Sequence, residues 1–187
     1  VDGVISDFEV TEEMLAYLIN KVRSEMRTFI APRVLVGVPS GITNVEMRAA
    51  RDAARNAGAR EVFLIEEPMA AAIGAKLPIG KAAGNMIIDI GGGTTDIAVI
   101  SINGIVVAKN LRVAGDHLTA AIMSYIRDQF KVYVGEKTAE DVKILLAAIE
   151  APEGGKEHVV RGRDVITGLP REVVITDSDV RDAIASQ

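Results

Sequence analysis

A glycine-rich turn between two apolar runs constrains the fold of this chain more than any other feature. Residues 89–96 read Asp-Ile-Gly-Gly-Gly-Thr-Thr-Asp and join the apolar segments 86–90 and 96–101. A strand-like run follows the glycines instead of a helix, so the turn is neither a Walker A loop nor a dinucleotide-binding turn. We predict a β-hairpin whose turn allows a ligand to approach closely, because glycine lacks a Cβ and tolerates positive φ.

The same turn has the chemistry of a phosphate-binding loop. Successive backbone N–H groups over residues 91–93 can converge on an anion, and the hydroxyls of Thr94 and Thr95 add donors. Asp89, at the end of the first strand, is placed to hold a hydrated Mg²⁺. A glycine-rich hairpin that binds no ligand is the alternative interpretation.

Before this turn, helices and strands alternate. Apolar residues at helical spacing predict a helix from an N-cap at Thr11 to about residue 27. The elements predicted to follow are a buried strand over 34–38, a helix from a capping box at Thr43 and Glu46 to Asn56, a buried strand over 62–65 and a helix opened by Pro68. This alternation predicts an α/β layer with parallel strands.

After the turn, the pattern predicts an antiparallel meander and then a smaller α+β region. Asn103-Gly104 is a strong hairpin signal between the second and third strands. The later elements are a helix with Leu118, Ile122, Ile126 and Phe130 on one face, a helix over 139–149, two short strands around Gly168, and a helix that starts near Ser178. The loop over 77–84 is the predicted boundary between domains 1–78 and 79–187, because it contains one proline and two glycines.

Composition excludes several functional classes. The net charge of −5 argues against a nucleic-acid binder, which needs a dense basic face. The absence of cysteine, with only two histidines, argues against disulfide and zinc sites. No apolar run approaches the ~20 residues of a membrane span, and no signal peptide is visible. Because the chain opens with Val1 and not with methionine, we expect a segment of a longer protein.

A second acidic element lies just before the predicted domain boundary. Glu66 and Glu67 follow a predicted strand and precede the helix that Pro68 opens. A carboxylate at a strand end beside a phosphate loop can polarise an attacking water. The alternative is that these residues only complement the dipole of the helix that they begin.

Taken together, these segments resemble the superfamily of actin, heat-shock-chaperone and sugar-kinase ATPases. Residues 89–96 are similar to its second phosphate motif, and residues 64–74 are similar to the segment that connects its two halves. The segments that resemble the MreB family of bacterial actin-like proteins in particular are 37–43, 64–74, 114–116, 161–164 and 167–170. The resemblance covers nearly the whole chain. It implies a partial actin-like (ribonuclease H-like) α/β ATPase fold, with the end of the first half and most of the second half.

The resemblance also implies roles for individual residues. Glu67 corresponds to the residue that positions the attacking water, assisted by Thr94, and Asp89 helps to hold Mg²⁺ through water. The residues implied to bind ATP are Gly91, Gly92, Gly93, Thr94 and Thr95 at the phosphates, Gly115 and Asp116 near the phosphates and ribose, and Glu140 and Lys143 at the adenosine pocket.

Some features depart from the family pattern. Leu145 and Ala147 stand where the family has an acidic residue and a glycine. The first phosphate motif of the family is expected N-terminal to Val1 and its final adenosine motif after Gln187, so the chain is expected to be a central fragment. Phosphoryl transfer needs charge stabilisation from both sides of a cleft. We therefore expect the chain alone to bind ATP weakly or not at all and not to hydrolyse it.

The implied function is that of a cytoskeletal ATPase whose polymerisation is coupled to ATP hydrolysis. Its filaments are expected at the inner face of the cytoplasmic membrane, where they direct rod shape with other cell-shape and cell-wall synthesis proteins. Phe29 and Ile30, flanked by arginines, are candidates for membrane contact, or else they pack under the sheet. Two other hypotheses are a small-molecule kinase or chaperone-type ATPase half-domain of the same superfamily, and a module that only binds a partner.

Overall fold

The computed structural model describes residues 7–25, 30–151 and 153–187. The chain consists of two compact units, with the boundary in the sequence between Arg112 and Val113. The elements of the first unit are α1 (Phe8–Glu25), β1 (Arg33–Val38), α2 (Asn44–Asn56), β2 (Glu61–Glu66), α3 (Glu67–Gly74), β3 (Asn85–Ile90), β4 (Thr95–Ser101) and β5 (Gly104–Leu111). The elements of the second unit are α4 (Gly115–Tyr125), a π-helical segment (Ile126–Phe130), β6 (Val132–Tyr133), α5 (Glu136–Leu146), β7 (Glu157–Asp164), β8 (Pro170–Thr176) and α6 (Asp177–Ile184).

The predicted α/β layer at the start of the chain is confirmed. Strands β1 and β2 are parallel, with Val34 opposite Val62 and Val38 opposite Glu66. Helix α2 contacts both strands. Its capping box is present as predicted, because the Thr43 hydroxyl accepts from the backbone of Glu46 while the Glu46 carboxylate accepts from the backbone of Thr43.

Two details of this layer were predicted wrongly. Helix α1 begins before Thr11, because a carboxylate oxygen of Asp7 accepts a hydrogen bond from the Val10 N–H at 3.1 Å and caps the first turn. The strands are also not buried on both faces, since Leu35 is 62% and Phe63 51% exposed. Successive side chains point to opposite faces of a strand, and an uninterrupted apolar run does not reveal which face is covered.

The predicted meander is confirmed as an antiparallel sheet in the order β3-β4-β5. Its inner face carries Ala98 and Ile100, which are buried in one cluster with Ala72 of α3. The turn between β4 and β5 lies one residue earlier than predicted. Ile102 and Asn103 have φ values of 51° and 58°, and Gly104 already pairs with Ser101 as the first residue of β5. Two positive φ values in a two-residue loop are typical of a type I′ turn.

The second unit is an antiparallel sheet in the order β6-β7-β8 with helices packed around one core. The predicted α5 was displaced by three residues, because the helix begins directly after Gly135 and ends where Ala147 becomes extended. Helix α6 begins at Asp177, one residue before its predicted start, with Thr176 and Asp179 forming a capping box. The two-residue strand β6 was not predicted.

The core of the second unit forms one cluster of buried residues. Its members are Ile122, Ile126, Val132, Val134, Ala139, Val142, Leu146, Val160, Ile175 and Val180. Gly162 allows β6 and β7 to lie close, since a Cβ at this position would come within 2.5 Å of the Tyr133 carbonyl oxygen. The arginine-flanked glycine of the segment 161–164 therefore has a packing function.

The loop predicted as a domain boundary lies inside the first unit. Leu77 and Ile79 pack against the cluster that contains Ala72 and Ile100. The assignment of residues 1–78 and 79–187 to two domains stays a prediction. Within the described ranges, none of the helices has both the length and the hydrophobicity needed to cross a membrane.

Candidate functional site

The glycine-rich segment is a hairpin turn, as predicted. Residues 91–94 connect β3 to β4, and the Gly91 N–H donates to the Thr94 carbonyl oxygen at 2.9 Å. A Cβ at Gly91 would lie 3.3 Å from that oxygen, so glycine permits this close approach. Positive φ is not used here, because the described glycines that have it lie elsewhere, at Gly41, Gly58, Gly154, Gly155 and Gly168.

Polar side chains form one row across the meander beside this turn. Asp89 of β3 lies opposite Asp96 of β4, which in turn lies opposite Asn110 of β5. Asp96 is only 2% exposed; its carboxylate accepts from the Asn110 side-chain amide at 2.9 Å and from the Ser40 N–H at 3.4 Å. Like charges directly opposite each other in a sheet are destabilising. The Asp89–Asp96 pair therefore favours a positive charge nearby.

Glu67, the first residue of α3, belongs to the same electrostatic group. Burial raises the pKa of its carboxyl group above the ordinary value, and the negative charges of Asp96 and Asp89 raise it further. The side chain lines a mainly apolar cavity of about 500 Å³ beside β1, which accounts for the desolvation. Thus the sequence-predicted residues Glu67 and Asp89 are brought into one acidic group.

This acidic group fits a hydrated magnesium ion. Carboxylate oxygens are the protein ligands that Mg²⁺ prefers, and the ion commonly keeps several of its waters. Among the residues that the structure describes, no group of three or more acidic, histidine or cysteine residues could hold a metal ion by itself. An ion here would have to be held mainly through water, which is the role that the sequence analysis predicts for Asp89.

Several residues that shape this region were not assigned roles from the sequence. Gly37 of β1 leaves room for Glu67, because a Cβ there would lie 3.3 Å from the Glu67 Cγ. From the sequence, Asp96 was recognised only as the acidic residue that ends the glycine-rich segment 89–96. Its position could have been found from the two-residue period of β4, since Asp96 alternates onto the same face as Ala98 and Ile100.

The second unit brings three other predicted residues together. The Lys143 ammonium lies 2.7 Å from a Glu140 carboxylate oxygen and donates to the Gly115 carbonyl oxygen at 3.0 Å. It also donates to the Thr119 hydroxyl at 3.1 Å, and Thr119 contacts Glu140 at 2.6 Å. The hydrogen bonds from Lys143 and Thr119 lower the pKa of Glu140 below its ordinary value.

Thr119 was missed by the sequence analysis although a signal for it exists. It precedes Ile122 by three residues and Ile126 by seven, so it lies on the core-facing side of α4. A polar residue on such a face usually has a buried hydrogen-bond partner. Here the partners are Glu140 and Lys143.

Other predicted positions lie outside these two groups. Asp116 is exposed in the first turn of α4, next to Gly115. Leu145 is 50% exposed and Ala147 is exposed just after α5. Ile30 is 67% exposed, whereas Phe29 lies outside the described residues.

Comparison with known proteins assigns the family. The family model described as MreB/Mbl protein matches residues 1–187. The chain belongs to the MreB/Mbl family. It is 53% identical over 185 residues to the cell shape-determining protein MreB of Haemophilus influenzae, covering 98% of this chain and 53% of the relative. It is 46% identical over 183 residues to the cell shape-determining protein Mbl of Bacillus subtilis, covering 98% of this chain and 55% of the relative.

Solved structures confirm the actin-like fold of this MreB/Mbl chain. The crystal structure of MreB5 of Spiroplasma citri bound to ADP matches with a TM-score of 0.91 and 38% identity, over 100% of this chain and 55% of that one. The AMPPNP-bound form of the same protein matches with a TM-score of 0.90. The MamK double helical filament shares the fold, with a TM-score of 0.78 at 22% identity, over 99% of this chain and 56% of that one.

The chain spans about half the length of the relatives and structures that it matches. Family membership favours the MreB-type hypothesis over a small-molecule kinase, a chaperone-type half-domain or a module that only binds a partner.

Proposed function

We propose that this chain is the part of an actin-like cytoskeletal ATPase that carries the second phosphate hairpin and part of the adenosine pocket. The observation that carries this proposal is the acidic group beside the glycine-rich turn, where Glu67 is electrostatically coupled to Asp89 and Asp96. Structures of MreB5 with ADP and with AMPPNP support a nucleotide as the ligand.

The residues of the first unit have distinct roles in this proposal. Asp89 holds Mg²⁺ through water, and the turn formed by Gly91, Gly92 and Gly93 surrounds the β- and γ-phosphates, with the hydroxyls of Thr94 and Thr95 as further donors. Glu67 positions the attacking water and accepts its proton at a carboxylate oxygen. The raised pKa of Glu67 brings it closer to the working pH, which favours proton transfer.

The second unit carries the residues that are proposed for the nucleoside part of the ligand. Gly115 and Asp116 lie at the start of α4, where the positive end of the helix dipole favours an anionic group. Glu140 and Lys143 line the adenosine pocket, and Glu140 retains 41% side-chain exposure for a ligand contact.

The proposed assembly is a filament at the inner face of the cytoplasmic membrane that directs rod shape together with other cell-shape and cell-wall synthesis proteins. The family and the filament structure of MamK support self-association. Phe29 and Ile30 are the proposed membrane contact, supported by the exposure of Ile30. Replacing both residues with serine is expected to weaken sedimentation with anionic liposomes, and unchanged sedimentation would remove this contact from the proposal.

The ATPase proposal is tested by exchanging segments between relatives. Residues 1–187 replace the matching segment of Haemophilus influenzae MreB, whose sequence is 53% identical. We expect the chimera to hydrolyse Mg-ATP at a rate similar to that of the parent protein. A folded chimera that binds Mg-ATP but does not hydrolyse it would contradict the roles of Glu67 and Asp89. The chain alone is expected to bind Mg-ATP weakly and not to turn it over.

A further inference from the structure

The side chain of Lys143 uses every hydrogen that it can donate. Its ammonium nitrogen lies 3.0 Å from the Gly115 carbonyl oxygen, 3.1 Å from the Thr119 hydroxyl oxygen and 2.7 Å from a Glu140 carboxylate oxygen. A lysine ammonium has three N–H donors and no acceptor. Lys143 therefore has no donor left for a ligand unless one of these three contacts is broken.

The hydroxyl group of Thr119 takes part in the same set of hydrogen bonds, and its donor direction determines which acceptors are satisfied. Its hydroxyl oxygen is 2.6 Å from Glu140 and 3.0 Å from the Gly115 carbonyl, but a hydroxyl has a single hydrogen. The shorter distance and the charge of Glu140 direct that hydrogen to the carboxylate. The Gly115 carbonyl is then satisfied by Lys143. Thr119 thus donates to Glu140 and accepts from Lys143, which joins α4 to α5.

The two ends of this arrangement differ in exposure. Thr119 is 3% exposed, on the face of α4 that carries Ile122. The side chain of Lys143 is 16% exposed and that of Glu140 is 41% exposed. A ligand therefore reaches Glu140 first, whereas the hydroxyl that holds Glu140 is shielded from water and ligand alike.

We propose that Thr119 is a positioning residue of the nucleotide site, which fixes Glu140 and Lys143 so that the ligand meets a carboxylate acceptor and not a free ammonium. Such a surface selects neutral groups that donate hydrogen bonds, such as hydroxyl and amino groups, over phosphate oxygens. The ligand part of this inference rests on the proposed function, but the arrangement of the three side chains is testable without a nucleotide.

The first test uses the unmodified chain. Lysine ammonium hydrogens that are all held in hydrogen bonds exchange slowly with water, so the Lys143 ammonium signal should exchange more slowly in NMR than that of Lys137, which is exposed on the same helix. Equal exchange rates for the two lysines would overturn the inference, whatever the variants do.

The second test compares two substitutions at Thr119. Thr119→Val keeps the shape but removes the hydroxyl, whereas Thr119→Ser keeps the hydroxyl and removes a methyl group. In NMR titrations the pKa of Glu140 should rise in Thr119→Val and stay low in Thr119→Ser. A Glu140 pKa in folded Thr119→Val equal to that of the unmodified chain would overturn the inference. A merely structural role would instead affect both variants according to their thermal stability.

The third test measures the binding of adenosine and of inorganic tripolyphosphate, titrated to millimolar concentrations, to the chimera that carries residues 1–187. Thr119→Val should weaken adenosine binding about tenfold, the size of one hydrogen bond to a charged group, and Thr119→Ser less than about twofold. Tripolyphosphate binding should not change. Adenosine binding that is unaffected by Thr119→Val would contradict the positioning role. If the unmodified chimera binds no adenosine, the proposed function of this unit fails, while the Glu140 titration still decides the positioning role.

Discussion

The two candidate ligand groups differ in how their charges are balanced. In the first unit, Glu67, Asp89 and Asp96 carry the same sign, and the pKa of Glu67 is raised by burial and by its acidic neighbours. In the second unit, Glu140 is paired with Lys143, and the pKa of Glu140 is lowered. The first group would be stabilised by an added cation, whereas the second group is neutralised before any ligand arrives. One chain therefore holds both a group of like charges that lacks a counter-ion and a group whose charges are already paired.

The two units also differ in the size of their buried cores, and the second unit has the larger one. The second unit buries one cluster of ten residues, while the largest buried cluster described in the first unit contains Ala72, Ala98 and Ile100. In the first unit the apolar side chains of Leu35, Phe63 and Ile88 are all more than half exposed. We therefore expect most of the stability of this chain to reside in residues 113–187.

The largest expected effect tests the function of the acidic group. In the chimera, Glu67→Gln should lower the hydrolysis of Mg-ATP by roughly 10²- to 10⁴-fold, the usual contribution of a general base. Glu66→Gln is the matched control, because Glu66 is the exposed neighbour at the end of β2. Steady-state phosphate release measures both. Similar rates for the two variants would remove the special role of Glu67.

The next effect sharpens the comparison of the two cores. Ile122→Ala removes a side chain that is 1% exposed and should lower the free energy of unfolding of the second unit by about 2–5 kcal/mol. Ile149→Ala, at a fully exposed position, should change it by less than about 0.5 kcal/mol. Urea denaturation followed by residue-resolved hydrogen exchange gives both values. An equal change in the free energy of unfolding at the two positions would show that the buried cluster around Ile122 does not stabilise the second unit as a core.

A smaller effect tests the like-charge coupling in the first unit. Asp96→Asn removes the larger of the two acidic influences on Glu67, so the pKa of Glu67 should fall, though not to its ordinary value, because burial remains. Asp89→Asn should lower it less. Because the pKa of Glu67 is raised on folding, its ionised carboxylate destabilises the fold at pH values above that pKa. This destabilisation disappears as the pH falls through the raised pKa toward the ordinary value of 4.5. NMR titration would contradict the coupling if neither variant moved the pKa of Glu67.

Acid is expected to destabilise the second unit, whereas protonation of Glu67 stabilises the first. Two backbone N–H groups and Arg171 lower the pKa of Asp164 from 3.8 to about 2. Its stabilising contribution is therefore complete above pH 3.8 and is lost as the pH falls through about 2. Asp164→Asn should reduce the acid sensitivity of the β7–β8 hairpin in hydrogen exchange between these two pH values. An unchanged pH profile would exclude this contribution.

Local patterns allowed much of the fold to be predicted from the sequence. The capping box at Thr43 and the β3–β4 hairpin depend on residues close to one another along the chain. The parallel pair β1–β2, which flanks the capped helix α2, was predicted from the alternation of helices and strands. The exposed face of Leu35 and Phe63 could not be predicted, because an apolar run carries no period that identifies the covered side. The N-cap of α1 was assigned to Thr11 and not to Asp7 because both residue types are acceptable N-caps, so the local sequence does not distinguish them.

The candidate site was predictable only in part. Glu67 and Asp89 were selected because they lie beside recognisable motifs in the sequence, and in the structure the charge of Asp89 acts on Glu67. The Thr119–Glu140 contact joins residues that are 21 positions apart on two helices, so it depends on the packing of α4 against α5. No short motif encodes that packing. Gly37 likewise gains its meaning only from the position of Glu67.

The central proposal is that this chain carries residues for the phosphates and for the adenosine of ATP, and that these residues alone do not form a complete site. Calorimetric titration of Mg-ATP into the isolated chain tests it most directly, with the chimera as a positive control for binding. We expect tight binding to the chimera and no binding to the isolated chain in the micromolar range or below. Sub-micromolar binding to the isolated chain would contradict the claim, because residues 1–187 would then form a complete nucleotide site.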